Sequence, residues 1–271
     1  MLKTTFEMQP IIDKYACPPL WGMVLRGSPV DQFLREGGRP EDLFARGSCI
    51  LKGSGSTRAA LVQMGASHEI FIKEYHFKNL LHSLKPLFGG HRARIVWDIS
   101  RYLIRKGVPV PRPIGYLVDR RGPFCMRGYF FSESMAECSH LGRVARASAQ
   151  SNALTEFCEL VELIATQVAF LHGSAVTHGD LKWSNILVHK CSERIWFVDL
   201  DSARICRHRP TPGQAAPDLA RFALSALQYG IDAFAVEHFM DRYSLERGIP
   251  RKYIDPPFQD MLKRLRRQHR L

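Results

Sequence analysis

The stretch Val176-Thr177-His178-Gly179-Asp180-Leu181-Lys182-Trp183-Ser184-Asn185-Ile186-Leu187-Val188 constrains this chain more than any other. It sets an acid, then a lysine two residues on and an asparagine five residues on, between a long apolar helix pattern and a short strand pattern. Further along, the apolar run Ile195-Trp196-Phe197-Val198 ends on Asp199, followed by Leu200-Asp201. Turns favour Asp and Asn as backbone caps. A turn, however, has no need of an acid, a lysine and an asparagine at these offsets, with a strand-terminal acid to follow. Phosphoryl transfer does. One carboxylate must orient and deprotonate the attacking hydroxyl, and a cation must offset charge on the moving group. A carbonyl oxygen and a second carboxylate, both hard, must hold magnesium. The H-x-D-x-x-x-x-N spacing with a later strand-terminal Asp is the arrangement of a kinase catalytic loop and metal site.

Upstream lie the complementary parts. Glu69-Ile70-Phe71-Ile72-Lys73-Glu74-Tyr75 reads as a strand, rich in β-branched and aromatic residues, and carries Lys73 where a kinase contacts the α- and β-phosphates. Two earlier strands, Cys49-Ile50-Leu51 and Ala59–Met64, flank Lys52-Gly53-Ser54-Gly55-Ser56-Thr57-Arg58. Glycine there lets backbone N–H groups approach phosphate, although Arg58 stands where a G-x-G-x-x-G pattern has its third glycine. A plain hairpin turn explains the same segment. No G-x-x-x-x-G-K-[ST] occurs, which excludes the P-loop reading.

The 271 residues, 45% hydrophobic and 24% charged, have the balance of a folded chain, and suit two small lobes sharing a cleft. Residues 91–106 read as an amphipathic helix with Ile95, Ile99 and Tyr102/Leu103 on its apolar face. The helix Leu154–His172 is expected to bury Leu160, Leu163/Ile164, Gln167/Val168 and Leu171. The resulting division is an N-terminal extension over 1–47, a strand-rich N-lobe over 48–135, and a helix-rich C-lobe over 136–271 ending in a basic tail. Seven irregularly spaced cysteines without C-x-x-C argue for reduced thiols, and no histidine–cysteine cluster suggests zinc. No apolar run spans a bilayer and the N-terminus lacks a signal core, so a cytoplasmic location is expected. Lys and Arg total 38 against 26 acids, a net charge of +12. That excess, concentrated at Lys78, Lys85, Arg92, Arg94 and the C-terminal MLKRLRRQHRL, suits an anionic partner.

HGDLKWSNILV, FVDLDSAR and the run IKEYHFKNLLHSLKPLFGGHRARIVW…GVPVPRPIGYL resemble the lipopolysaccharide kinase (Kdo/WaaP) family over roughly residues 48–245. The resemblance implies an α+β, bilobal protein-kinase-like fold. Its N-lobe would be an antiparallel sheet with one main helix, and its C-lobe reduced and mostly helical. It implies ATP and Mg2+ as cofactors and an inner-core sugar, Kdo or heptose, as acceptor. Carried over by motif, Asp180 is the catalytic base and Lys182 the phosphate-neutralising cation. Asn185 and Asp199 are magnesium ligands, and Lys73 is the ATP-phosphate lysine near Gly53, Ser54 and Gly55. Glu133-Ser134-Met135 lies near the adenine-binding hinge. One departure is plain: Val96 occupies the helix position where related sequences often carry the glutamate that pairs with the strand lysine. Asp98 is the nearest helical acid but points to a different side, and Glu74 faces the opposite side of its strand, so either Asp98 substitutes through a shifted helix or Lys73 is positioned without such a partner.

The expected partners are therefore ATP, an anionic glycolipid acceptor and, peripherally, the inner face of the cytoplasmic membrane. The segment Phe77–Phe88 alternates basic and apolar residues in a way that suits such an interface or a packed cover helix. Nucleic acid is not expected, since no RNA-binding module is visible. Two other readings fit the motifs: a kinase-like enzyme with a protein, small-molecule or tRNA-modification-complex acceptor, and a non-catalytic nucleotide-binding scaffold.

Overall fold

A computed structural model of the chain describes residues 11–54, 56–66, 68–76, 91–121, 124–151, 153–191, 194–231 and 233–269. Gly55 and the segment Phe77–Phe88, with Lys78 and Lys85, lie outside them. Two units emerge, one of Met1–Asp98 with Arg112–Ser134, the other of Ile99–Pro111 with Met135–Leu271.

The first unit is built on a seven-stranded sheet of β1 (Ile12–Cys17), β2 (Leu20–Leu25), β3 (Gly47–Ser54), β4 (Thr57–Met64), β5 (His68–His76), β6 (Pro113–Arg121) and β7 (Phe124–Glu133). Its order is β1-β2-β6-β7-β5-β4-β3, and every neighbouring pair is antiparallel. Residues 1–47, set apart by composition as an extension, thus supply two strands of this same sheet. They also supply two short helices, α1 (Pro29–Arg35) and α2 (Pro40–Ala45). Ser28 caps α1 by accepting the Asp31 N–H through its hydroxyl at 3.1 Å, and Pro29 opens the first turn. Val30, Phe33, Leu34, Leu43 and Phe44 of the two helices join Ile70 and Ile72 of β5 and Tyr129 and Phe131 of β7 in one buried cluster. Side chains alternate along a strand. Ile70, Ile72 and Glu74 therefore point to the face that α1 and α2 cover, and Lys73 to the opposite face.

Next comes α3 (Arg92–Arg105), which begins in the first unit and ends in the second. Its inner stripe is Ala93, Val96/Trp97, Ser100 and Leu103, all buried. Ile95, expected on that stripe, is 36% exposed. It stands two residues from both Ala93 and Trp97, about 200° round the helix from each.

The second unit continues with β8 (Cys138–His140), α4 (Leu141–Gln150), α5 (Leu154–Gly173), β9 (Val176–Thr177), β10 (Ile186–His189), β11 (Ile195–Phe197) and β12 (Arg204–Ile205). Three helices follow: α6 (Pro212–Gln228), α7 (Ala233–Arg247) and α8 (Arg251–His269). The strands make two small sheets, β11-β10-β8 and β12-β9. On α5 the buried line is Phe157, Val161, Ile164/Ala165, Val168 and Leu171/His172, so Leu160, Leu163 and Gln167 flank it instead of forming it. The basic C-terminal stretch forms the end of α8, whose Ile254, Phe258, Leu262 and Leu265 are buried at helical spacing, while Lys263, Arg264, Arg266 and Arg267 stay exposed. Pro256 and Pro257 early in that helix disguise it in the sequence.

Candidate active site

The loop after β9 has no periodic structure, so side chains must hold it. Asp218 on α6, 1% exposed, accepts the backbone N–H of His178 and of Gly179, each at 2.7 Å, and lies 3.2 Å from His172 Nε2. Burial alone would raise the Asp218 carboxyl, but the His172 ring and the His178 contacts outweigh it and hold it below the usual carboxylate range. His178 is itself fully buried, and desolvation keeps its pKa below the ordinary histidine value. The neutral ring donates from Nε2 to Val198 O (3.1 Å) and accepts the Asp180 N–H at Nδ1 (3.4 Å). Trp183 plugs the far end of the loop among Phe157, Phe222 and Tyr229, with ring centroids 5.5–5.8 Å away. Its backbone N–H donates to Ser225 Oγ at 3.3 Å.

Held this way, the loop gathers three of the residues expected from sequence. Lys182 Nζ lies 2.8 Å from Asp180 Oδ2. Asn185 Nδ2 donates to Asp180 O at 2.9 Å and to Oδ2 at 3.2 Å. Because both of those contacts use the amide nitrogen, Asn185 Oδ1 is left to face another partner. The Val198 N–H donates to Asn185 O at 3.0 Å, which brings the chain entering Asp199 beside Asn185. Asp199 adopts a left-handed backbone (φ 60°, ψ 58°), sparsely populated for a side-chain-bearing residue and typical of functional positions. An amide oxygen and a carboxylate, both hard donors on adjoining segments, fit magnesium. No cluster of three or more His, Cys, Asp or Glu suited to a metal occurs among the described residues.

Lys73, Gly53, Ser54 and Glu133 belong to the first unit, and Met135 to the second. On β5, Lys73 is in register with Ala59, which is in register with Lys52 on β3. Gly53 and Ser54 follow on β3, paired with Arg58 and Thr57. Lys73 Nζ stands 5.6 Å from the Tyr75 ring centroid. Both acids near the helix-glutamate position, Glu74 and Asp98, pair with cations of their own. Glu74 is fully buried against Arg58 (2.9 Å), His76 (3.2 Å) and Arg127 (3.7 Å), and Asp98 is exposed beside Arg94 at 3.5 Å. Glu133 ends β7, where burial raises its carboxyl and Arg112, 3.8 Å away, opposes that. The Met135 carbonyl accepts the Cys138 N–H at 3.0 Å.

Residues 51–243 match the lipopolysaccharide kinase (Kdo/WaaP) family. This chain belongs to that family. Among its relatives are the 3-deoxy-D-manno-octulosonic acid kinases of two Vibrio vulnificus strains, CMCP6 and YJ016, 33% and 34% identical over 114 residues. The matched stretch is 42% of this chain and 45% of each relative, so the chain is matched to less than half of their length. Among solved structures, a WaaP in complex with acyl carrier protein aligns at TM-score 0.63 and 22% identity, covering 88% of this chain and 94% of that one. A glucosamine kinase in complex with glucosamine, ADP and inorganic phosphate aligns at TM-score 0.52 and 13% identity, covering 96% and 90%. The fold is the kinase-like α+β fold, with an antiparallel sheet followed by a mainly helical part.

Two polar residues of this Kdo/WaaP chain escape a reading by motif: Asp218 and Arg221, one turn apart on α6. Asp218 is the anchor already described. Arg221 places Nε 3.5 Å from Asp180 Oδ1. The only available signal was Asp218-x-x-Arg221 inside an otherwise apolar helix, an acid on a face that should carry none.

Proposed function

We propose that this chain is an ATP- and Mg2+-dependent kinase that phosphorylates a hydroxyl of an inner-core lipopolysaccharide sugar, with an octulosonic acid of the Kdo type as acceptor. The observation that carries this reading is the Asp180 carboxylate, fixed by Lys182 and Asn185 within a loop that also leads to Asp199. Family membership and the activity of the Vibrio relatives, 3-deoxy-D-manno-octulosonic acid kinases, support the acceptor class.

Asp180 takes the proton of the acceptor hydroxyl as its oxygen attacks the γ-phosphorus, and the bond to the β,γ-bridging oxygen breaks to release ADP. Lys182 offsets charge on the phosphoryl group in transfer. Asn185 and Asp199 would hold magnesium, which supplies charge neutralisation at the phosphates. Lys73 contacts the α- and β-phosphates, backbone N–H groups of Gly53, Ser54 and Gly55 border them, and Glu133 to Met135 borders the adenine. In this reading residues 48–135 act as the nucleotide lobe and 136–271 as the catalytic lobe. No helix among the described residues is long and apolar enough to cross a membrane. The exposed Arg92, Arg94, Arg264, Arg266 and Arg267 support work at the anionic inner face of the cytoplasmic membrane.

Transfer from radiolabelled ATP to a panel of acceptors tests the proposal: a Kdo-bearing lipid A precursor, heptose, glucosamine and protein. Label is expected in the Kdo acceptor, and Asp180→Ala is expected to abolish it while ATP–Mg2+ still raises Tm. Full turnover by Asp180→Ala, or label only in another acceptor, refutes it. Mass spectrometry of core oligosaccharide from cells with and without the protein checks the same point in vivo.

A further inference from the structure

The two oxygens of the Asp180 carboxylate are engaged differently. Oδ2 is saturated by Lys182 Nζ at 2.8 Å and Asn185 Nδ2 at 3.2 Å. Among the described residues Oδ1 faces only Arg221 Nε at 3.5 Å, too long and poorly aimed for a full hydrogen bond. Oδ1 is thus the oxygen left to receive an acceptor hydroxyl, and that hydroxyl must arrive beside the Arg221 guanidinium.

Arg221 is unusual for a second cation at this carboxylate. Its side chain is 32% exposed, Nη1 donates only to Pro217 O on its own helix at 3.3 Å, and Nη2 has no partner among the described residues. A guanidinium held next to a base with donors to spare has little to offer the base, since Lys182 already neutralises it. It has a great deal to offer an anion arriving with the hydroxyl. The planar fork of an arginine binds a carboxylate through two parallel hydrogen bonds, which a lysine cannot do.

We propose that Arg221 receives the carboxylate of the acceptor sugar and so selects an acid sugar over a neutral one. This rests on Asp180 being the base for an acid-sugar acceptor. The closeness of Nε to Oδ1 requires the anion to sit on the same ring as the reacting hydroxyl, so a phosphate elsewhere on the glycolipid does not satisfy it.

The test compares the wild-type protein with Arg221→Gln and Arg221→Lys on three acceptors. These are the Kdo-bearing lipid precursor, the same lipid with the sugar carboxylate reduced to an alcohol, and the same lipid stripped of its phosphates. For Arg221→Gln, the KM for the intact acceptor is expected to rise about 10- to 100-fold, at unchanged ATP KM and Tm. Arg221→Lys is expected to recover only part of that loss. The carboxyl-reduced acceptor should be equally poor for wild type and variant, while the phosphate-free acceptor keeps the full dependence on Arg221. An equal drop in kcat on all acceptors, with acceptor KM unchanged, would show that Arg221 acts only through Asp180 and overturn the proposal. Dependence lost with the phosphates instead of the carboxylate overturns it too. If wild type transfers to no acid sugar, the parent reading of the acceptor fails first, and that outcome is distinct because no variant is needed to see it.

Discussion

Lys73 and Asp180 are placed by two different kinds of chain. Lys73 sits mid-strand, and alternation along β5 with register to β4 and β7 sets the face it points to. Asp180 sits on irregular chain and owes its position to Asp218, His178 and Trp183, all buried. Regular structure distributes the positioning over many backbone bonds. The loop concentrates it in three side chains, and substitutions should therefore act very differently in the two places.

The sharpest break of that contrast is Asp218→Asn. The amide cannot accept both the His178 and the Gly179 N–H and still meet His172 as the carboxylate does. Unfolding free energy should fall by about 2–3 kcal/mol, and kcat by roughly a hundredfold through displacement of Asp180. Denaturant titration with steady-state kinetics reads both. An Asp218→Asn protein with normal kcat would mean the loop holds itself.

Acid probes the two regions together. His178 in the loop is kept neutral by burial, and so is His91, which packs at 6.1 Å against Tyr75 of the Lys73 strand and is pushed down to about 4. With the folded pKa below the unfolded value of about 6.5, the unfolded chain binds more protons between those limits. Stability is complete above pH 6.5 and declines as pH falls toward 4. His91 alone should cost about 2 kcal/mol between pH 7 and 5. His91→Asn keeps a side chain able to accept the Ala93 N–H that His91 Nδ1 now takes at 3.0 Å, and should flatten that slope by about one proton. An unchanged slope in urea titrations across pH would assign the loss elsewhere.

The smallest stability effect belongs to Lys73→Met. Backbone pairing with β4 and β7 holds the strand, so stability should stay within about 1 kcal/mol of wild type while ATP KM rises. A large drop in Tm would show that the lysine holds the first unit together, and would erase the contrast drawn here.

What could be read from the chain follows the same division. The spacing of Asp180, Lys182 and Asn185 was legible because chemistry demands residue types at fixed offsets, and β4 to β7 because apolar, β-branched and aromatic residues dominate them. β1, IDKYAC, buries little and carries no such alternation, so its place in the sheet is invisible until its partner β2 is known. α8 hides behind two prolines and a dense positive charge, although its apolar spacing is regular. Asp218 and Arg221 come from a helix well beyond the motif in sequence, and only the fold brings them to the loop. Ile95 shows the opposite failure, an apolar residue at good local spacing that faces solvent because the stripe is centred on Trp97.

At Gly179, φ is +78° and an added Cβ would stand 2.3 Å from Ser202 O. Main chain touches main chain there, and the short ladder of Thr177 with Arg204 locks the same two segments together. The spacing from Asp180 to Asp199 is consequently sewn into the peptide backbone and insulated from its neighbours. Residues around the loop can therefore be exchanged without drawing those two carboxylates apart.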